Sequence, residues 1–417
     1  MDEKKHRVDA QPDTRSVVGL EPSEQAWDGW LLLIVCGLLS LGVVMIFSSS
    51  GVTATWEYGD PIFYLKRQLL FVLAGFALLY IGLRIDYRWY QRLVYPILFV
   101  TLALLAIVAV KGTTVGGATR WIRFGAFNFQ PAEWTKIAMV MVLSYSVAKK
   151  GVKIKSFTVG MIPHVLLVGL VVGLLMMQPD FGTSVILFAL MFAILFIGGT
   201  RISYILLALA IGSAGAWQLI VSSPYRAKRL MAFLDPWEHQ SGIAYQVTES
   251  MIAIGSGGFT GRGLGEGTGK LGFVPELHTD FIGTAIAEEM GFFGVVLVVT
   301  LFLLLIWRGI HISLNARDRF GTYLAFGLTM LFGLQGAINL GVISGMLPTK
   351  GLTLPFISYG GSSLLLSMFA IGIMLNISRR ADDTWELQRE AREAAKREQR
   401  WGKKREQILA RRVEERL

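Results

Sequence analysis

Apolar residues along this chain gather in long stretches, and short polar segments separate them. Windows of roughly 20 mostly apolar residues, the length a helix needs to cross a bilayer, fall near 29–50, 67–85, 93–110, 132–148, 157–177, 183–199, 203–221, 281–307, 322–347 and 356–378. The pattern predicts an all-α integral membrane protein with ten transmembrane helices and no β-sheet core. Lys and Arg divide unevenly between alternate polar segments. One set (84–92, 149–157, 200–202, 308–321) holds 11 in 35 residues, and the other (51–68, 111–132, 178–182, 222–280, 348–355) holds 11 in 112. Basic residues accumulate on the cytoplasmic side, so the dense set and both termini are expected there. The large 222–280 loop, between spans seven and eight, then faces outward.

This divides the chain into a polar cytoplasmic leader (1–27), a membrane domain (28–380) and a charged tail (381–417). The tail is rich in Ala, Glu, Lys and Arg, with Glu393 four residues before Arg397, so a cytoplasmic helix is expected. It serves either as a solvated anchor of orientation or as a dock for a cytoplasmic partner or anionic lipid.

Composition agrees. Of 417 residues, 53% are hydrophobic and 17% charged, and the mean hydropathy is +0.52. A soluble protein of this length needs a polar coat that this chain cannot supply. The net charge of +10 reflects membrane topology, since 13 of the 40 basic residues lie beyond Ser378. No basic groove alternates with aromatic stacking positions, which excludes nucleic acid as a partner. The single cysteine, Cys36, can form neither an internal disulfide nor a cysteine metal cluster. No cleavable signal peptide is expected, because the first apolar run begins near Trp30 and is long enough to span.

The chemistry concentrates in 222–289. Arg226, Lys228 and Arg229 break the positive-inside trend, which fits either an anionic headgroup or an exposed charge cluster. Nine glycines follow between Gly255 and Gly272. They allow tight turns and let backbone N–H groups approach a ligand, although a re-entrant loop would read the same way. Then come Glu276, His278 and Asp280, with Glu288 and Glu289 beyond. A carboxylate at a membrane boundary is costly and usually functional. Asp280 is followed at once by apolar residues, so it is expected to be partly desolvated. Desolvation raises its pKa and suits it to accept a proton. His278 either shares that proton or is an interface residue. The Glu276, His278, Asp280 spacing matches no strong metal signature.

Four stretches carry a resemblance. They are Pro275-Glu276-Leu277-His278-Thr279-Asp280-Phe281-Ile282 with Ala287-Glu288-Glu289; Gly117-Ala118-Thr119-Arg120-Trp121-Ile122 with Gln130-Pro131-Ala132-Glu133-Trp134-Thr135-Lys136; Gln178-Pro179-Asp180-Phe181-Gly182-Thr183; and Leu347-Pro348-Thr349-Lys350-Gly351-Leu352-Thr353-Leu354-Pro355 through Ser363. From Trp30 to Arg380 the chain resembles the SEDS family of peptidoglycan glycosyltransferases. Pro348-Thr349-Lys350-Gly351-Leu352-Thr353 is similar to its division-type branch. Ala132 stands where many relatives have Ser, and Leu277 where Ala is common.

The resemblance implies polymerisation of lipid II into β-1,4 glycan strands at the division septum of the bacterial inner membrane. The mechanism inverts, with undecaprenyl pyrophosphate as leaving group and the aspartate at position 280 as general base. Cations should stabilise the leaving group. Arg226 and Arg229 are the first candidates, because guanidinium grips phosphate bidentately; Arg120, Arg123 and Lys350 are others. Glu133 and Lys136, three apart, share a helix face and form either a structural ion pair or a cavity wall that meets the headgroup. Asp180 is adequately explained as a helix cap. Glu276 and His278 complete the candidate substrate-binding set. Mg²⁺ or another divalent cation could bridge pyrophosphate oxygens without a protein cage, so a cofactor is left open. The expected partners are membrane lipid, a class B penicillin-binding protein acting as septal transpeptidase, and other division proteins.

Two other readings exist. A lipid II flippase would use midplane polar groups, for which Gln335 and Asn339 qualify, though both could simply bond neighbouring helices. A scaffold that recruits the transpeptidase gives no reason for Asp280.

Overall fold

The computed structural model describes residues 27–379, apart from 116–117, 125–126, 223–227, 229–230, 241, 243 and 350. The leader through residue 26 and the tail from 380 lie outside the described residues. The helices are α1 (Gly29–Tyr58), α2 (Phe63–Arg84), α3 (Tyr87–Arg92), α4 (Val94–Lys111), α5 (Pro131–Lys150), α6 (Ile162–Met177), α7 (Phe181–Ile197), α8 (Ile202–Val221), α9 (Tyr245–Gly257), α10 (Ile282–Leu314), α11 (Arg319–Ile343) and α12 (Gly361–Arg379). Seven stretches are long and apolar enough to cross a membrane: α1, α2, α4, 157–177 ending in α6, α10, α11 and α12. Phe181–Ile197 and the Ile202–Gly215 part of α8 are apolar but shorter. α5 is 20 residues long and carries Glu133, Lys136, Lys149 and Lys150.

The interior belongs to α5, α11 and α12. α5 is buried almost continuously from Pro131 to Ser144. α11 packs against α5, α7 and α10, while α1 packs against α2 and α10. Helix caps knit one end of the bundle. Asp28 caps α1 through Leu31 N (3.0 Å) and accepts from Arg308 Nε at 2.6 Å, while its own N–H donates to Ser378 Oγ. Asp318 caps α11 and accepts from the Tyr87 hydroxyl at 2.9 Å. Asn376 accepts from Tyr87 N and donates to Leu83 O. Each cap satisfies backbone groups that a helix end leaves without intrahelical partners, and each also ties two helices together.

The opposite end holds a feature the hydropathy pattern missed. Residues 111–132 read as a loop, yet they contain an antiparallel meander of β1 (Thr113–Val115), β2 (Ala118–Phe124) and β3 (Phe127–Phe129). Ile122 pairs with Phe129 and Arg123 with Asn128. Ser362 Oγ, at the start of α12, accepts from Gln130 N and donates to Asn128 O, so the meander is fastened over the bundle.

α10 is in effect two helices. Its 33 residues would run about 50 Å at 1.5 Å per residue, but the backbone breaks at Gly291 (φ 63°, ψ −156°). The glycine-rich segment fills the break. Arg262 N and Gly263 N donate to the Glu288 and Glu289 carbonyls, and Phe292 N and Phe293 N donate to Gly258 O and Phe259 O. The approach leaves no room for side chains: a Cβ on Gly261 would lie 2.1 Å from Glu289 O, and one on Gly291 2.3 Å from Gly261 N.

Candidate active site

Asp280 stands one residue before the cap of α10, in a tight turn. Thr279 N and Phe281 N both donate to Glu276 O, at 3.2 and 3.3 Å. Two neighbours hold the aspartate. Asn339 Nδ2 donates to its carbonyl at 2.8 Å. Gly351 lies against its carboxylate: a Cβ there would be 3.1 Å from Asp280 Oδ2 and 3.9 Å from Arg120 Nη1. The carboxylate and the guanidinium therefore flank Gly351. Among the described residues, no hydrogen bond reaches the Asp280 carboxylate. Burial pushes its pKa up to about 7; the negative charge of Glu276 adds to the rise, Arg120 opposes it, and Glu133 adds again. A carboxyl poised near neutrality is half ionised at physiological pH, the condition under which a general base works best.

Alternation along β2 sends Arg120 and Arg123 to opposite faces. Arg123 is exposed. Arg120 turns inward, donating through Nε to Gln178 O at 3.1 Å and through Nη2 to Pro179 O. Gln178 in turn donates to Leu105 O. The backbone ahead of α7 is thus an anchor for Arg120, and Asp180 caps α7 through Thr183 N and Oγ1.

Glu133 and Lys136 form an ion pair of 2.7 Å in the first turns of α5, with side chains 11% and 1% exposed. Removed from water, such a pair holds charge where neither partner could stand alone. Its carboxylate acts on Asp280 through space, so the pair belongs to the same electrostatic neighbourhood.

The remaining candidates separate. Glu276 is exposed, adopts φ 56° and accepts from Thr279 Oγ1 at 2.9 Å. The His278 ring packs at 4.5 Å from Tyr64 and 5.8 Å from Tyr359. Its carbonyl accepts from Tyr359 N. Burial lowers its pKa, against the opposing charges of Glu276 and Glu57, which favours neutral imidazole. Arg226, Arg229 and Lys350 lie outside the described residues.

The glycine run departs from expectation. Its N–H groups approach carboxylates of the chain itself. Glu288 accepts from Thr268 N (2.7 Å), Thr268 Oγ1 (2.8 Å) and Gly269 N (3.1 Å), with Arg262 at 3.5 Å. Glu289 accepts from Ser48 Oγ (2.5 Å) and Gly265 N (3.1 Å), with Lys270 at 3.8 Å. The correction has a simple cause: two acids buried beside a broken helix are the nearest anions. The adjacent acids after a glycine-rich run were the available signal. Gly351 and the hydrogen bonds of Asn339 are not legible in the sequence as site features, because both depend on contacts between distant segments. No group of three or more His, Cys, Asp or Glu among the described residues is arranged to hold a metal.

The profile of the FtsW/RodA/SpoVE family, described as cell cycle protein, matches residues 29–383. The probable peptidoglycan glycosyltransferase FtsW of Trichlorobacter lovleyi is 45% identical over 354 residues, covering 84% of this chain and 93% of that protein. Stage V sporulation protein E of Bacillus subtilis is 39% identical over 352 residues, covering 84% and 96%. Among solved structures, a chain of a peptidoglycan synthase complex that coordinates polymerization and crosslinking superposes with a TM-score of 0.73 at 29% identity, covering 85% of this chain and 98% of that one. The rod shape determining protein RodA of Thermus thermophilus gives 0.65 at 28%, covering 85% and 97%.

Proposed function

This chain belongs to the FtsW/RodA/SpoVE family of cell cycle proteins, and on that premise we propose that it is a peptidoglycan glycosyltransferase that polymerises lipid II at the division septum. The observation that carries the reading is the Asp280 carboxyl, held near pKa 7 beside Arg120 and the Glu133–Lys136 pair. Asp280 takes the proton from the 4-hydroxyl of the acceptor GlcNAc as that oxygen attacks C1 of the donor MurNAc. The C1–O bond to the pyrophosphate breaks, and undecaprenyl pyrophosphate departs with the electron pair. Attack from the opposite face turns an α-linked donor into a β-1,4 link.

Cations stabilise the developing charge on the pyrophosphate. Arg226, Arg229 and Lys350 are assigned to it from the sequence, with Arg123 at the exposed edge. Arg120 spends two of its donors on the 178–179 carbonyls, so its part is to position charge beside Asp280. Glu133 and Lys136 line the cavity wall beneath the headgroup. Glu276 and His278 border the acceptor side.

The membrane arrangement in this reading is ten crossings, made by the seven long apolar stretches together with α5, α7 and α8. Both termini are cytoplasmic and the 222–280 loop is outside, with the 1–27 leader and the 381–417 tail flanking one membrane domain. A class B penicillin-binding protein crosslinks the strands and joins other division proteins around the chain. The similarity to a member of a peptidoglycan synthase complex supports such a partner. Against the flippase reading, the amide nitrogen of Asn339 is occupied by two backbone carbonyls, although Asn339 Oδ1 and Gln335 Nε2 are buried without a partner among the described residues.

The test is polymerisation of lipid II by the purified chain with its partner. Asp280→Asn should insert and bind the partner yet make no glycan polymer. Wild-type product from that variant would remove Asp280 as the base.

A further inference from the structure

We infer that Asn339 is a positioning residue, clamping the backbone of Asp280 to the 351–354 segment so that the carboxylate stays against Gly351. The inference rests on the proposed role of Asp280 as base. Asn339 lies near the end of α11 and is 2% exposed. Its Nδ2 donates to two carbonyls at once, Asp280 O at 2.8 Å and Leu352 O at 2.6 Å. These belong to different segments, one leading into α10 and the other into α12. A primary amide carries two diverging N–H bonds on one nitrogen, so one side chain joins both. A second tie, Tyr359 N to His278 O at 3.0 Å, binds the same two segments on the other side of Asp280.

The clamp acts on the carboxylate through geometry. Fixing the Asp280 carbonyl fixes the peptide plane after its Cα and, together with the turn bonds from Thr279 N and Phe281 N to Glu276 O, narrows the direction of its Cβ. Fixing Leu352 O fixes the residue next to Gly351, whose backbone forms the surface the carboxylate rests on. Nothing else among the described residues restrains that carboxylate by hydrogen bond, so the backbone must do it. Among the described residues, the charged groups facing it are Glu276 on its own segment, Arg120 from β2 and Glu133 from α5. None of them stands in the place of Asn339.

Alanine at 339 removes both donors. The two segments then loosen at residues 280 and 352 while the Tyr359–His278 tie remains, the carboxylate gains water, and its ionisation moves back toward that of an ordinary aspartate. A misplacement of about 1 Å at a reacting group costs on the order of a hundredfold in rate. Asn339→Ala should therefore lower kcat roughly tenfold to a hundredfold with the KM for lipid II unchanged, and the acid limb of the pH–rate profile should move to lower pH. Asn339→Ser keeps one donor, leaves space for a bridging water, and should fall between. It also serves where the alanine variant fails to insert.

Rates are referred to folded, partner-bound protein, and Asp280→Asn is run beside them. A wild-type kcat and an unmoved acid limb in the Asn339 variants, with Asp280→Asn inactive, overturn the clamp and leave the base in place. A loss explained wholly by less folded protein, with the acid limb unmoved, overturns it equally. Activity in Asp280→Asn would instead strike the base itself.

Discussion

Asp280 and the Glu288–Glu289 pair stand within nine positions of one another; the glutamates are buried and Asp280 is half-buried. Their surroundings are opposite. The two glutamates are saturated: backbone N–H groups, hydroxyls and the cations of Arg262 and Lys270 converge on them. Among the described residues the Asp280 carboxylate has no such donors, and two further carboxylates act on it through space. Hydrogen bonds to the charged form hold a carboxylate ionised and in place, whereas burial without them keeps it ready to take a proton. Position near a membrane boundary marks a carboxylate as unusual, but the donors around it decide whether it builds the fold or performs the chemistry.

The sharpest way to break this contrast is Asp280→Asn. Loss of a general base costs on the order of 10²–10⁴ in rate, so polymer should vanish from the assay. Stability should move the other way. The folded pKa of about 7 lies above the unfolded value of about 3.9. Between those values the folded chain binds the additional proton, so the stabilisation is complete below about pH 4 and is lost as pH rises through 7. Thermal unfolding at pH 5 and pH 8 should show that slope in the wild type and a flatter one in the variant.

The Glu133–Lys136 pair tests whether a buried ion pair beside the site belongs to structure or to chemistry. Glu133→Gln or Lys136→Met alone leaves one charge uncompensated, at a cost of about 3–5 kcal/mol, and the double variant costs far less. Recovered thermal stability with lost polymerisation would assign the pair to the headgroup. Recovery of both would remove it from the site.

On the saturated side, Glu288→Ala should strand the N–H groups of Thr268 and Gly269. Gly269 is buried and Thr268 exposed, so the cost falls on Gly269 N, at about 1–3 kcal/mol for a buried donor left unmet. The melting temperature should fall while the surviving folded fraction keeps the acid limb of the wild type. A shifted limb with unchanged stability would make Glu288 part of the titrating site and erase the distinction.

The smallest effect is expected at Arg120. Arg120→Ala removes a cation that opposes the rise at Asp280, so the acid limb should move to higher pH. Arg120→Lys keeps the charge and should move it less. An unmoved limb in both would sever Arg120 from the electrostatics of Asp280.

Much of this was readable in one dimension. The seven long apolar stretches fall on windows read from hydropathy, because a helix that must satisfy its backbone in lipid announces itself by length and composition. Asp280 was readable from its place between a polar loop and an apolar run, and Glu133–Lys136 from helical spacing. The meander at 113–129 was not, because its strands have three, seven and three residues, too short for alternation to stand out from loop. Nor was the break at Gly291, since an apolar run reads the same whether its helix is continuous or interrupted.

Local order along the chain thus carried the membrane character, most helix positions, the family and the candidate carboxylate at 280, because each depends on residue type and near neighbours. Contacts across long separations settled the rest. Arg120 meets the 178–179 carbonyls, Glu289 meets Ser48, and the amide of Asn339 joins residues 280 and 352. Hydrogen bonds depend on direction and distance in space, and neither is written in the order of residues until the helices have packed.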